Sequence, residues 1–251
     1  MKRKRIIALL KIQYKSLIRV PVVLCIILLL PIVLTLTFGL LFKSIIIEDT
    51  GQSVFEFLVP GLFAISGLFM AMPVSFSFSE DRELGLLKRI NTTPLTATEF
   101  MGSHIISNMS MAFIQVVIIG ILTFLMGYRI DGAITVMSLA FVFMAIFSIS
   151  TIGFGLITAT IAKNAKAAGG IVWIFILPQQ MLASGLYPLP SGTEIISKFM
   201  PLHYASDGLT LLFNGAALSE FTIWGDLIIL ILFSLALVLI GILLFKKYGK
   251  V

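Results

Sequence analysis

The chain has 251 residues, 59% of them hydrophobic and 12% charged, with a net charge of +6 and a mean hydropathy of +1.09. Soluble domains carry about 25% charged and about 45–50% apolar residues, so a soluble globular enzyme is excluded. Disorder is excluded as well, because a chain stays unfolded only when its hydrophobicity is low.

The predicted elements run as follows. Residues 3–20 form a basic amphipathic helix: at 100° per residue Ile6, Leu9, Leu10, Tyr14 and Leu17 share one face, and Lys4, Lys11, Lys15 and Arg19 the other. Such a helix lies on the inner leaflet, where each cation near anionic lipid contributes about 1 kcal/mol. The apolar run from Val20 to Phe42 is longer than a signal-peptide core of about 7–15 residues, and no A-x-A-like site follows it. It therefore reads as a retained first span. A bilayer core about 30 Å thick takes about 20 apolar residues per helix, and five further runs meet that length or approach it: 54–78, 105–127, 133–162, 168–186 and 221–245. The fold class is thus an all-α integral membrane protein of six spans in one domain. No internal repeat suggests an inverted-repeat transporter. The lone cysteine, Cys25, allows neither an intramolecular disulfide nor a four-cysteine metal site.

Two segments between spans are longer than a connection requires. Residues 80–100 hold Glu80, Asp81, Arg82, Glu83, Lys88, Arg89 and Glu99. Leu84, Leu87 and Ile90 recur every third residue, which fits a short helix with an apolar edge. Pro94 ends it, and Thr96 with Glu99 has capping-box spacing for the helix that follows. This loop reads as a protein-docking element. Residues 187–220 are too broken by Pro188, Pro190, Glu194, Lys198, Pro201, His203 and Asp207 to span. They read as two half-buried re-entrant helices at about 193–200 and 204–215, because irregular backbone at membrane depth survives only under protein or in a wet cavity.

Lys and Arg set the orientation. With the N-terminus inside, the cytoplasmic side takes Lys2, Arg3, Lys4, Arg5, Lys11, Lys15 and Arg19 from the tail. It also takes Arg82, Lys88 and Arg89, then Lys163 and Lys166, then Lys246, Lys247 and Lys250. Only Lys43, Arg129 and Lys198 fall outside. The positive-inside rule therefore places both termini in the cytoplasm and accounts for the net charge without a nucleic-acid partner.

The chain holds no G-x-x-x-x-G-K-[ST] phosphate loop and no H-E-x-x-H metal motif. His104 and His203 fall near opposite membrane faces and read as interfacial hydrogen-bonding residues. The spans are nearly free of ionisable residues, with Glu56 and Asp226 near their ends, so a proton relay has little to work with. Energy for transport would have to come from a partner.

Asp81-Arg82-Glu83-x-Gly85, followed by Thr93-Pro94-Leu95-Thr96-x-x-Glu99-Phe100-x-Gly102, resembles the E-R-E-x-G-T … T-P-L-S-x-x-E-x-x-x-G-K signature of ABC type-2 permeases. Ser184-Gly185-Leu186-Tyr187-Pro188 and Pro201-Leu202-His203-Tyr204-x-x-Asp207 extend the resemblance, the latter to that family's P-L-x-Y-x-x-D-x-x-R. Asp81, Leu86 and Ser103 depart from its Glu, Thr and Lys, and Gly208-Leu209-Thr210 lacks its Arg. The resemblance implies a bacterial ABC exporter subunit of the type V exporter-like fold, multi-pass in the plasma membrane. A second permease, identical or homologous, would pair with it, and two separate ATPase subunits would carry ATP and Mg. The chain itself would be no enzyme and bind no cofactor.

The same resemblance implies that the 81–90 segment is a coupling helix, with Asp81, Arg82, Glu83, Leu84, Gly85, Leu87, Thr93, Pro94 and Glu99 serving ATPase coupling. The 3–20 helix would be the connecting helix beside it. It puts the substrate path at the permease–permease interface, along spans one, two and five. Phe63, Phe69, Met70 and Phe76 of span two and Gln179, Gln180 and Met181 of span five are the candidates for that path. Flexible methionines and flat aromatic rings adapt to varied apolar cargo, such as drugs, lipids or amphipathic peptides. A membrane-anchored scaffold, a membrane enzyme without ATP coupling and an exporter of a cell-wall polymer remain the alternatives.

Overall fold

The computed structural model describes residues 10–11, 14–15, 21–48, 51–83, 97–129, 133–183, 185–186 and 192–248. Among these the chain is helical, with one isolated bridge between Ile46 and Ser53. The helices are α1 (Pro21–Phe42), α2 (Val54–Leu68), α3 (Ala71–Glu83), α4 (Ala97–Leu125), α5 (Ala133–Ile161), α6 (Ala165–Ile171), α7 (Trp173–Ala183), α8 (Glu194–Ser197), α9 (Pro201–Phe213) and α10 (Phe221–Tyr248). Of the N-terminal amphipathic segment, Leu10, Lys11, Tyr14 and Lys15 are described. They are helical, with Leu10 and Tyr14 half-buried and Lys11 and Lys15 exposed. The Tyr14 and Ser110 hydroxyls are hydrogen-bonded, which ties this segment to α4.

Among the described residues, four helical runs are long and apolar enough to cross a membrane: Val54–Glu83, Gly102–Leu125, Ile134–Ile161 and Phe221–Leu244. The first and third are 89% and 78% buried against 33% and 22% for the other two, so α2–α3 and α5 form the centre and α4 and α10 flank it. α1 is an apolar helix of 22 residues containing Pro31, whose carbonyl accepts the Thr35 hydroxyl at 2.8 Å. Hydroxyls inside spans repeat this solution: Ser148, Ser150, Thr151 and Thr160 each donate to a carbonyl one turn back. With no water in the bilayer core, a polar group must be satisfied within the protein.

The second span is one run in sequence but two helices in the structure. Pro73 has no N–H, and its ring crowds the carbonyl four residues back, that of Phe69. The backbone responds at Phe69–Met70, where Met70 N bonds Gly67 O at 3.1 Å and Met72 N bonds Phe69 O at 3.2 Å, both three-residue steps. The apolar run expected as a fifth span is likewise divided into α6 and α7 at Val172, after the Gly169-Gly170 pair. α2 starts on a capping box: the Ser53 side chain accepts Glu56 N (3.2 Å) and Glu56 Oε2 accepts Ser53 N (2.8 Å). α4 begins at Ala97, next to Thr96, which with most of the 80–100 loop lies outside the described residues.

Two short helices, α8 and α9, lie where helices were expected at 193–200 and 204–215, the first cut to one turn and the second begun earlier by Pro201 at its first position. α9 packs across α2, α5, α7 and α10. Gly208 makes that crossing possible, since a Cβ there would lie 2.3 Å from the Phe143 ring. Phe213 meets Phe63 edge-on at 5.1 Å. α5 and α10 approach at Gly153, where a Cβ would sit 2.7 Å from the Leu237 backbone, and at Gly241, where it would sit 3.3 Å from Gly153 O. Small residues at such contacts let helix backbones close up where lipid offers no hydrophobic drive.

Candidate functional site

The polar residues of α3 gather at its C-terminal end. Ser75, Ser79 and Arg82 are spaced four and three apart and so share one face. All three reach α5 or the segment after it. Ser75 Oγ donates to Ala168 O (3.1 Å) and accepts the Thr158 hydroxyl (2.6 Å). Ser79 Oγ makes a long contact to Ala159 O (3.5 Å). Arg82 Nη1 donates to Thr160 O (3.2 Å), and its Nη2 to Ala162 O. Gly155 lets the helices meet, since a Cβ there would lie 2.5 Å from Val74.

The last carbonyls of a helix lack intrahelical donors and carry the negative end of its dipole. The Arg82 guanidinium meets both needs at the end of α5. Glu83 does the converse one element later, its carboxylate accepting Ala165 N–H at the start of α6, beside the Asn164 cap that takes Ala167 N at 2.7 Å. Asp81 faces a third element: its Oδ2 lies 3.5 Å from Nε2 of buried His104 on α4, and the His104 ring lies against Phe78 at 4.0 Å. Three consecutive residues thus hold three different elements.

Of the residues assigned to ATPase coupling, Leu84, Gly85, Leu87, Thr93 and Pro94 lie outside the described residues, and Glu99 is in the first turn of α4. Asp81, Arg82 and Glu83 are brought together and turned toward neighbouring helices. His104, Thr158, Thr160 and Ala165 complete the cluster and were not assigned from sequence. The spacing of Ser75, Ser79 and Arg82 was a readable signal for a polar face.

The residues assigned to the substrate path separate by burial. Phe63, Phe69 and Met70 lie in the core, Phe69 edge-on to Trp173 at 6.1 Å. Gln179 is buried, donating to Phe175 O (3.2 Å) and accepting Leu202 N (3.3 Å). Phe76 and Gln180 are half-buried, and Met181 is exposed. Met181 continues an outward stripe with Ile174 and Leu177 on α7, and α1 presents Leu29, Val33, Leu36 and Leu40 in the same manner.

At the far end of the helices, Tyr128 is buried near Glu56; burial first, and that carboxylate second, push its phenol up to about 12. His203 is held below the usual imidazole range by burial and by Lys198, against the pull of Asp207.

Among the described residues, fold and site define a helical membrane protein whose polar side chains bond carbonyls of their own helices and, around the end of α3, tie neighbouring elements together. Residues 4–214 match the model of the ABC-2 type transporter family, and the chain belongs to that family. It is similar to the inner membrane transport permease YhhJ of Escherichia coli strain K12, 28% identical over 176 residues, 66% of this chain and 45% of that protein. It is also similar to the probable multidrug ABC transporter permease YbhR of the same organism, 25% identical over 156 residues, 60% of this chain and 42% of that protein. The matched segment thus spans less than half the length of either relative.

Proposed function

We propose that the chain is the transmembrane subunit of an ATP-driven exporter that moves hydrophobic or amphipathic cargo out of a bacterial cell. The family match over residues 4–214 is the observation that carries this reading. Two permeases, identical or homologous, pair through the outward stripes of α1 and α7. Two separate ATPase subunits bind ATP and Mg and dock on the segment after Glu83. Six spans cross the membrane, with both termini cytoplasmic.

In this reading ATP closes the ATPase pair, and the docked segments bias the permeases between two arrangements for which the ATPase dimer has different affinities. Phe76, Gln180 and Met181 are the path residues that a second permease and the cargo can reach, whereas Phe63, Phe69, Met70 and Gln179 set the shape behind them. The description of YbhR as a multidrug permease favours small amphipathic drugs over polymers.

The test looks for a P-loop ATPase in an adjacent reading frame, reconstitutes the chain with it and measures ATP hydrolysis across drugs, lipids and amphipathic peptides. Saturable stimulation by one of these classes is expected. An ATPase that neither copurifies with the chain nor responds to any class overturns the reading.

A further inference from the structure

We propose that Asp81, Arg82 and Glu83 are positioning residues that spread a push on the coupling segment across the ends of three other spans at once. The inference rests on the exporter reading and narrows the part this motif plays in it. The family resemblance implies that the three residues serve ATPase coupling. Asp81 and Arg82 are half-buried and Glu83 is exposed, yet each side chain is engaged with another element of this chain.

Successive residues of a helix point 100° apart. At the end of α3 this aims three charged side chains in three directions, and each finds a different element. Asp81 meets His104 on α4 (3.5 Å). Arg82 meets the carbonyls of Thr160 and Ala162, which close α5. Glu83 meets the Ala165 N–H that opens α6. The pairing is chemically matched: the cation sits at the negative end of one helix and the anion at the positive end of the next.

What lies behind the cluster gives it reach. Ser75 and Ser79 continue the contact along α3, through Thr158, Ala159 and Ala168. The α3–α5 contact is closed by Gly155 against Val74. α3 and the end of α5 therefore move together. The other half of α5 carries Phe143, which packs against Gly208 of α9 at the far end. α3 is meanwhile separated from α2 by the break at Phe69–Met70, which Pro73 imposes. A displacement entering past Glu83 is thus shared with α4, α5 and α6 before it reaches α2.

The test uses the full chain assembled with its ATPase in proteoliposomes, with a fluorescent amphipathic dye as cargo and excess ATP. Arg82→Gln and Glu83→Gln should copurify with the ATPase at the wild-type ratio yet transport dye about tenfold more slowly, the loss expected from one charge-assisted hydrogen bond. Arg82→Lys, which keeps a cation for one carbonyl, should recover part of the rate. In Glu83→Gln, amide hydrogen exchange at Ala165–Ala167 should accelerate, a local signature that an ATPase-contact role would not produce. If Arg82→Gln does not accumulate, Arg82→Lys and Asp81→Asn carry the same test, with transport below wild type and assembly retained.

Wild-type transport in both Gln variants, or unchanged exchange at Ala165–Ala167, overturns the proposal alone. Loss of ATPase copurification in the variants overturns it in favour of direct docking. A wild-type assembly that moves no dye on adding ATP overturns the exporter reading, and the transmission role with it.

Discussion

A glutamine in an apolar span costs free energy unless its amide is paired or wet. Gln179 is paired at both ends, giving to Phe175 O and accepting Leu202 N. Leu202 stands in the first turn of α9, where backbone N–H groups lack intrahelical acceptors, and the cap residue Met200 supplies no side chain for them. Gln179 therefore acts as a cap delivered from another helix. Gln179→Leu should destabilise the protein by about 1–3 kcal/mol, because a buried N–H is left without its acceptor. Gln179→Glu, which keeps a side-chain oxygen in place, should be milder if the carboxyl is protonated there. Melting of the purified protein in detergent, followed by tryptophan fluorescence, separates the two variants. The cost of the Gln179–Gln180 pair was legible in the sequence, but its partner was not. Leu202 lies 23 residues away, on a helix whose start depends on how Pro201 and Met200 fold. The same limit applies to Phe63 and Phe69: their aromatic clustering was readable, whereas their burial depends on Phe213 and Trp173, which distant helices bring in.

Among the elements, hydropathy located the apolar runs but was blind to breaks within them. The second span divides because Pro73 disturbs the carbonyl of Phe69, yet Pro31 and Pro178 lie inside helices that continue through them. A proline predicts strain in the turn before it, and the surrounding packing decides whether that turn opens. Close approach was also hidden. Gly153 and Gly241 looked like ordinary glycines of apolar spans, and only the juxtaposition of α5 and α10 shows that one faces the Leu237 backbone and the other the Gly153 carbonyl. Backbone cannot swing aside as a flexible side chain can. Gly153→Val should therefore push α10 off α5 and cost about 1–3 kcal/mol or more. Ser234, which donates to Ile146 O across the same contact at 3.0 Å, would lose that bond as the helices part. Val at Gly169, where a Cβ meets nothing within 4 Å, provides the control. A lower melting temperature for Gly153→Val, with Gly169→Val at or slightly above wild type because valine is a better helix former than glycine, is the expected result; equal melting of the two variants would remove close packing as the reason for Gly153.

For the whole molecule, the number of crossings decides which loops can meet an ATPase. Among the described residues, four helical runs are long and apolar enough to cross. α1 and the α6–α7 pair settle whether the count is six. α1 has 22 residues and rises about 33 Å. α6 and α7 together, Ala165–Ala183, rise about 28 Å if the break at Val172 bends them little. Both lengths are near the roughly 30 Å of a hydrocarbon core, and with both crossing, Lys163 and Lys198 fall on opposite sides. That is also the arrangement the Lys and Arg bias favours. If α6–α7 turned back instead of crossing, the two lysines would share a side, and the far-end packing of α9 on α2 and α5 would have to be reached from the cytoplasm. Single cysteines at exposed Lys163 and Lys198 in a Cys25→Ser background distinguish the two arrangements. In intact cells a membrane-impermeant maleimide should label Lys198→Cys and spare Lys163→Cys, which should react only after the membrane is opened. Labelling of both from outside, or of neither, would reduce the crossings by one. Glu83 and Ala165 pair at one end of the bundle, so the side on which Lys163 is found is also the side on which the Asp81–Glu83 cluster must receive any push.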